Sequence, residues 1–271
     1  MCRILEVSRS GYYAWVHRIP SARERANREL VIKIREVFKG SKERYGSPRV
    51  RQELCAAGVI CGENRIARLM RQEGLVARAR RRFRITTRKD PTITRYAPDR
   101  VQRRFTAARP NAVWTSDITY VWTREGWLYL AVILDLYSRY IIGWTTSSRL
   151  KADFVCDAIR RALQLRRPEG SLIIHSDRGT QYTSDSVNAI LADQKNSILV
   201  SHAYSCFDNA VTESFFHTLK TELICWEHYE TRREAHMSLF EYIEIFYNRE
   251  RRHSALNGLT PLTFEQSRST P

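Results

Sequence analysis

Short runs rich in aromatic and β-branched residues open the second half of the chain: VWTSDITYVW (113–122), WLYLAVILD (127–135) and YIIGWTT (140–146). They predict three strands, with Arg124-Glu125-Gly126 as a hairpin turn between the first two. The period then lengthens. KADFVCDAIRRALQLR (151–166) spaces Phe154, Ile159, Ala162 and Leu163 as a helix does. After it come a short apolar strand, Leu172-Ile173-Ile174, a helix near 183–193, a strand ILVS (198–201) and a helix from 208. Three strands in a meander followed by alternating α and β elements predict a mixed sheet with helices on both faces, an α/β fold.

The N-terminal part has helical periods throughout. Residues 22–38 place Leu30, Ile32, Ile34 and Val37 among charges. Residues 47–75 space Val50, Leu54, Ile66, Leu69 and Met70 as two helices with Gly58 between them. This predicts a small all-α, helix-turn-helix-like domain whose last helix offers Asn64, Arg65, Arg68 and Arg71 to DNA, although a plain helical hairpin has the same spacing. Before it, ILEVSRSGYYAW (4–15) reads as Ser8 capping a helix with Tyr12, Tyr13 and Trp15. Only six residues precede Val7, too few for the first helix of such a unit. The expectation is a partial unit continuing a longer protein, or an arm packed on its own domain.

Residues 76–109 carry twelve basic and two acidic side chains, two prolines and little periodicity. A linker of this charge, with Arg81 and Arg82 at its centre, can track a phosphate backbone, though a solvated connector has the same composition. The expected organisation is an arm (1–21), a helical DNA-binding domain (22–75), a basic linker (76–109), an α/β core (110–265) and a tail (266–271).

Charge sharpens this division. Residues 1–110 hold 28 Lys and Arg against 10 Asp and Glu, whereas residues 111–271 hold 17 against 19. The net charge of +16 therefore sits entirely in the first part, which points to a polyanion such as DNA as its partner. The chain has no stretch of about 18 apolar residues and no secretory pattern, so a cytoplasmic protein is expected. Its six cysteines contain no CxxC pair, which argues against a zinc ribbon or a disulfide framework.

The candidate chemistry lies in three acids. Asp177 follows the strand Leu172–Ile174, where ligand sites form at strand ends. Asp117 lies within the first strand on the face of Val113, Thr115, Thr119 and Val121. In the helix from Asp208, its natural cap, Asn209, Glu213, His217 and Lys220 share one face, opposite Val211, Phe215, Leu219 and Leu223. Each acid alone reads as a turn, an exposed edge or a solvated helix face. Together, three carboxylates can hold two divalent cations and serve an in-line phosphoryl displacement. Without thiolate or histidine clusters, Mg²⁺ or Mn²⁺ is the expected metal.

WTSDITYV, DLYSRYIIGW, HSDRGTQYTS, DNAVTESFFHTLKTE and YNRERRHSALNGLTPLTFE occur in that order, with 35 residues between Asp177 and Glu213. Over about residues 22–265 the chain resembles bacterial insertion-sequence transposases of the IS-three group, within the retroviral-integrase superfamily. The resemblance implies an RNase H-like core at 110–265, with Asp117, Asp177 and Glu213 as a metal-binding catalytic triad that cleaves transposon ends and transfers their 3′-hydroxyls. It implies Lys220 beside the scissile phosphate. Transposon ends and target DNA are the implied partners, along with a homo-oligomer formed on them in the bacterial nucleoid, and an upstream reading-frame segment fused by frameshifting. Ala203-Tyr204 stand where the group usually has a basic residue and a glycine. Near the core, Arg178, Asn209, Lys220 and the Arg251-Arg252-His253 cluster are expected to contact DNA, the two arginines serving joining more than cleavage. A basic helix terminus is the plainer reading of that cluster. Two other functions share these features: a metal-dependent structure-specific nuclease that hydrolyses without joining, and a catalytically silent DNA-binding regulator.

Overall fold

The computed structural model describes residues 2, 4, 6–78, 100–101, 105–177, 179–192, 198–202 and 209–268. The chain divides into two compact units, Met1–Arg78 and Ala79–Pro271. Most of the basic linker, including Arg81 and Arg82, lies outside the described residues, as do Arg178, Ala203-Tyr204 and Asp208.

The first unit is helical. In α1 (Arg9–Val16) the Ser8 hydroxyl accepts the Gly11 N–H at 3.0 Å, and no side chain of the helix is buried. Helix α2 (Ala22–Gly40) starts in a reciprocal cap, with Ser21 Oγ accepting from Glu24 N and Glu24 Oε2 accepting from Ser21 N. Its Leu30, Ile34 and Phe38, one turn apart, pack with Val50 and Leu54 of α3 (Ser47–Ala56) and with Ile66, Leu69 and Met70 of α4 (Glu63–Gln72). Ile32 is 59% exposed, because two residues past Leu30 is more than half a helical turn from the buried stripe. Gly58, at φ +79°, makes the left-handed turn between α3 and α4.

The second unit is built on a five-stranded sheet of order β3-β2-β1-β4-β5, with β1 Val113–Thr123, β2 Gly126–Asp135, β3 Ile141–Ser147, β4 Leu172–Ser176 and β5 Ile198–His202. The first three pair antiparallel, while β4 runs parallel to both β1 and β5. Helices α5 (Ala152–Arg166) and α6 (Asp185–Ala192) cover one face, burying Phe154, Ile159, Val187 and Leu191 against Trp114, Ile133 and Ile174. The other face carries α7 (Ala210–Glu222) and α8 (Arg232–Phe240), followed by a π-helical stretch, Glu241–Glu250, and α9 (Pro261–Gln266). Covering on both faces explains why β2 reads as a nearly continuous apolar run rather than an alternation.

One close approach and two buried polar side chains hold this frame. Gly143 lets α5 approach β3, since a Cβ there would stand 2.5 Å from the Ala158 carbonyl oxygen. Asn248, fully buried in the π-helical stretch, accepts from Ile141 N at 2.9 Å and donates to its carbonyl at 3.0 Å. Asp135, buried at the end of β2, accepts the N–H groups of Asn111 and Tyr137, and burial pushes its carboxyl up to about 6. Among the described residues no helix is long and apolar enough to cross a membrane.

Candidate active site

The parallel register sets the level of the first two acids. Thr115 of β1 lies opposite His175 of β4, so two residues further along each strand Asp117 and Asp177 fall level with one another. β4 ends at Ser176, and Asp177 begins the turn that follows. There the Gly179 N–H donates to Asp177 Oδ1 at 3.0 Å, and a Cβ on Gly179 would crowd that oxygen and Gln181 Oε1, both at 3.0 Å. A strand ending in an acid thus delivers its carboxylate where β1 loses its neighbour.

Helix α7 brings the third acid. Thr212 Oγ1 lies 2.8 Å from Thr115 Oγ1 and 3.0 Å from Asn209 Oδ1, while Asn209 Nδ2 donates to the Ser116 carbonyl at 3.1 Å. Thr115, Ser116, Asn209 and Thr212 are all buried. These bonds fasten the first turn of α7 across β1 just before Asp117, and leave Glu213, the next residue, at the surface. Beneath Asp117, the buried Tyr182 hydroxyl lies 2.8 Å from Ser116 Oγ, and burial holds its pKa well above the usual tyrosine value.

The electrostatics register the convergence. Asp117 keeps a solvent-accessible rim but is densely surrounded, and its carboxyl is pushed up to about 8. Burial is the largest cause and the charge of Asp177 the next, with Glu213 adding to them. The Ile118 N–H, donating to Asp117 Oδ1 at 2.7 Å, and Lys220 act in the opposite direction. Glu213, although exposed at the surface, is raised by the partial burial of its carboxyl. Burial lowers the Lys220 ammonium, and Asp117 counteracts that. Among the described residues no three His, Cys, Asp or Glu side chains are packed as a ready-made metal cage. The acids meet through their fields. An all-oxygen set with crowded negative charge is the donor chemistry of a hard divalent cation.

Two family models for an Integrase core domain match residues 107–206 and 213–268, and one for an HTH-like domain matches residues 24–83. The transposase InsF for insertion sequence IS3A of Escherichia coli is 41% identical over 98% of this chain and 92% of its own length. The chain belongs to the IS3 insertion-sequence transposase family. An uncharacterized 31 kDa protein of insertion element IS600 from Shigella sonnei is 40% identical over 98% of this transposase and 97% of its own length. The fold extends further: a simian T-cell lymphotropic virus intasome chain superposes with a TM-score of 0.51 at 17% identity, covering 67% of this chain and 62% of that one.

The other residues expected to touch DNA fall into different places in this IS3-family transposase. On α4, Asn64, Arg68 and Arg71 are exposed along one face, whereas Arg65 is partly buried and donates to Asn27 Oδ1 at 2.9 Å. Asn209 and Arg251 correct the expectation. Asn209 is a buried strut to β1, and the stripe it was set against is shifted, with Thr212 and Phe216 buried beside Phe215 and Leu219. Arg251 is 5% exposed and paired with Glu222, at 2.7 Å from Nη2 to Oε1 and 2.9 Å from Nε to Oε2. Tyr242 donates its hydroxyl to Glu222 Oε2 at 2.9 Å, and the Arg251 guanidinium lies 5.8 Å from the Tyr247 ring centroid. Arg252 is half-buried and donates to the Gly258 carbonyl. Arg251 therefore anchors the far end of α7, with its guanidinium turned to Glu222 and away from solvent.

Proposed function

We propose that this transposase is a DDE-type polynucleotidyl transferase in which Asp117, Asp177 and Glu213 hold two divalent cations, Mg²⁺ or Mn²⁺, and carry out transposon-end cleavage and 3′-hydroxyl strand transfer. One observation carries the reading: three acids from β1, the end of β4 and α7 converge beside β1, where burial first, and then the charges of Asp177 and Glu213, push the Asp117 carboxyl up to about 8. When bound, the cations supply the activated oxygen nucleophile and stabilise the leaving oxygen. Within the chain, the Ile118 N–H fixes one Asp117 oxygen and the Gly179 N–H fixes one Asp177 oxygen. Thr212 and Asn209 hold α7 so that Glu213 keeps its place, and the Lys220 ammonium is positioned to bind a phosphate beside the acids. Preset positions of this kind lower the cost of reaching an in-line geometry. Holding two DNA ends and a target at once is served by several copies of the chain on DNA.

Cation binding follows directly. Mn²⁺ titrated into the full-length protein and read by electron paramagnetic resonance is expected to bind wild type and to lose its tight sites in Asp177→Asn. Equal binding by wild type and an Asp117→Asn, Asp177→Asn, Glu213→Gln triple variant would sink the cation assignment.

The helical unit is the proposed duplex reader. The exposed face of α4 carries Arg68 and Arg71, and each phosphate bound adds about one to the slope of log affinity against log salt. Arg68→Ala with Arg71→Ala should weaken duplex binding uniformly across sequences and flatten that slope by about one for each phosphate released. A fluorescence-anisotropy series between low and moderate salt checks this, and an unchanged slope would move the phosphate-binding face elsewhere.

A further inference from the structure

The outer half of the β1–β2 hairpin displays an aromatic group that the chemistry above does not use. Cross-strand pairing sets Tyr120 against Tyr129 and Trp122 against Trp127, so the alternation of the pleat puts all four rings on one face of the sheet. Tyr129 packs partly against the core, but Tyr120, Trp122 and Trp127 are 48%, 58% and 43% exposed. The three are interlocked. Trp127 meets Tyr120 edge-to-face with centroids 4.9 Å apart and meets Trp122 at 4.7 Å. Edge-to-face contacts fix the ring planes while leaving ring faces toward solvent. A contiguous aromatic surface left in water is a marker of a binding site rather than a by-product of folding.

Its surroundings decide what it binds. Lys220, whose charge acts on Asp117, holds its Nζ 5.4 Å from the centroid of Tyr120. Tyr120 is three residues beyond Asp117 on the same strand, roughly 10 Å along it. Three residues is an odd step, so Tyr120 lies on the opposite face of the pleat from Asp117, and Lys220 is the cation that reaches both. Arg124 and Arg232 lie at the far end of the hairpin, Arg124 paired with Glu230 and Arg232 donating to the Trp127 and Glu125 carbonyls. Exposed ring faces bordered by cations are the pattern that binds unpaired nucleotides: every base has a face to stack, and the phosphates between bases meet the positive groups. In a paired duplex those base faces are already stacked on neighbours.

We infer that Tyr120, Trp122 and Trp127 form a stacking platform for unpaired bases of a DNA strand that runs past Lys220 from the site of cleavage. The inference rests on the proposed function insofar as that function brings DNA to this edge of the sheet. The platform acts on bases freed from the duplex next to the reacting phosphate, keeps the strand from re-pairing, and does so with little regard to sequence.

Full-length protein in EDTA, with no cation and no chemistry, tests this directly. The probes are a forked duplex carrying 2-aminopurine in its unpaired arm and a blunt duplex of the same sequence. Wild type should quench 2-aminopurine on binding, as stacking on an aromatic ring does. Trp122→Ala and Trp127→Ala should each weaken forked binding roughly five- to hundredfold and remove the quenching, while leaving blunt-duplex affinity unchanged. Trp122→Phe should restore most of both. Equal loss on the two probes, or loss on neither, overturns the platform. So does a change of sedimentation from a larger to a smaller species in Trp122→Ala at unchanged forked affinity, which would assign the surface to a second copy of the chain. Stacking on the platform with no cation-dependent cleavage would fail the proposed function alone, and intact cleavage with forked binding indifferent to Trp122 would fail the platform alone.

Discussion

Asp177→Asn, Asp117→Asn and Glu213→Gln are each expected to abolish Mg²⁺-dependent cleavage and joining, a loss of at least ~10³-fold if the cations contribute several kcal/mol to the transition state. Duplex affinity should stay within about threefold of wild type, because the positive charge that meets phosphate lies outside the triad. The variants also carry a signature that a damaged fold would not. Asp117 sits in a setting that penalises its charged form, with its carboxyl pushed up to about 8 by burial, Asp177 and Glu213. An acid raised in the folded state contributes most to stability at low pH, and that contribution is lost as pH rises through its folded value. At neutral pH and without divalent cations the isosteric, uncharged Asn relieves this cost. Asp117→Asn should therefore melt at or above the wild-type temperature while losing activity. A variant that keeps Mg²⁺-dependent cleavage removes that residue from the triad.

The second large effect is structural. Arg251 and Glu222 form a buried pair, with side chains 6% and 7% exposed, that ties the end of α7 to the segment after the π-helical stretch. Removing one partner leaves the other charge buried and uncompensated, which costs about 3–5 kcal/mol. At about 2–4 °C per kcal/mol for a unit of this size, Arg251→Ala and Glu222→Ala should each lower the melting temperature by on the order of 10 °C. Glu222→Met combined with Arg251→Met should recover much of the loss, since a well-packed apolar pair of similar volume replaces a buried ion pair at little cost. Arg252→Ala removes a half-buried side chain that donates to the Gly258 carbonyl and should lower the melting temperature less than either Arg251→Ala or Glu222→Ala. Calorimetry on the four proteins decides. If Arg251→Ala melts like wild type yet joins DNA poorly, Arg251 serves DNA and not the fold.

The parts of this molecule that the sequence makes legible are those encoded within short windows. The aromatic and β-branched runs at 113–122 and 127–135 are the β1–β2 hairpin, and the helical spacing of Leu30 and Ile34 with Val50 and Leu54 is the core of the first unit. Asp177 is readable because a strand stops at it. What escaped depends on partners far away in the chain. Nothing near Arg251 says that its guanidinium meets Glu222, 29 residues earlier, rather than solvent, so a run of two arginines reads as a nucleic-acid patch. Asn209 looks like a helix-face polar residue until its amide reaches Ser116, 93 residues away. Thr212 carried a weak signal: a small hydroxyl on the side of α7 that otherwise buries Phe215, Phe216 and Leu219. Trp122 and Trp127 read as strand formers, and their exposure follows from where the helices stop covering the hairpin, which no local period encodes.

Transfer of a pre-cut 3′-hydroxyl transposon end separates a transposase from a nuclease or a silent DNA-binding protein most directly. Full-length protein, a labelled pre-cut end, an unlabelled target duplex and Mg²⁺ should yield a labelled product longer than the input on a denaturing gel, absent with EDTA and absent with Glu213→Gln. Cleavage of uncut ends with no joined product under Mg²⁺ or Mn²⁺ would contradict the account.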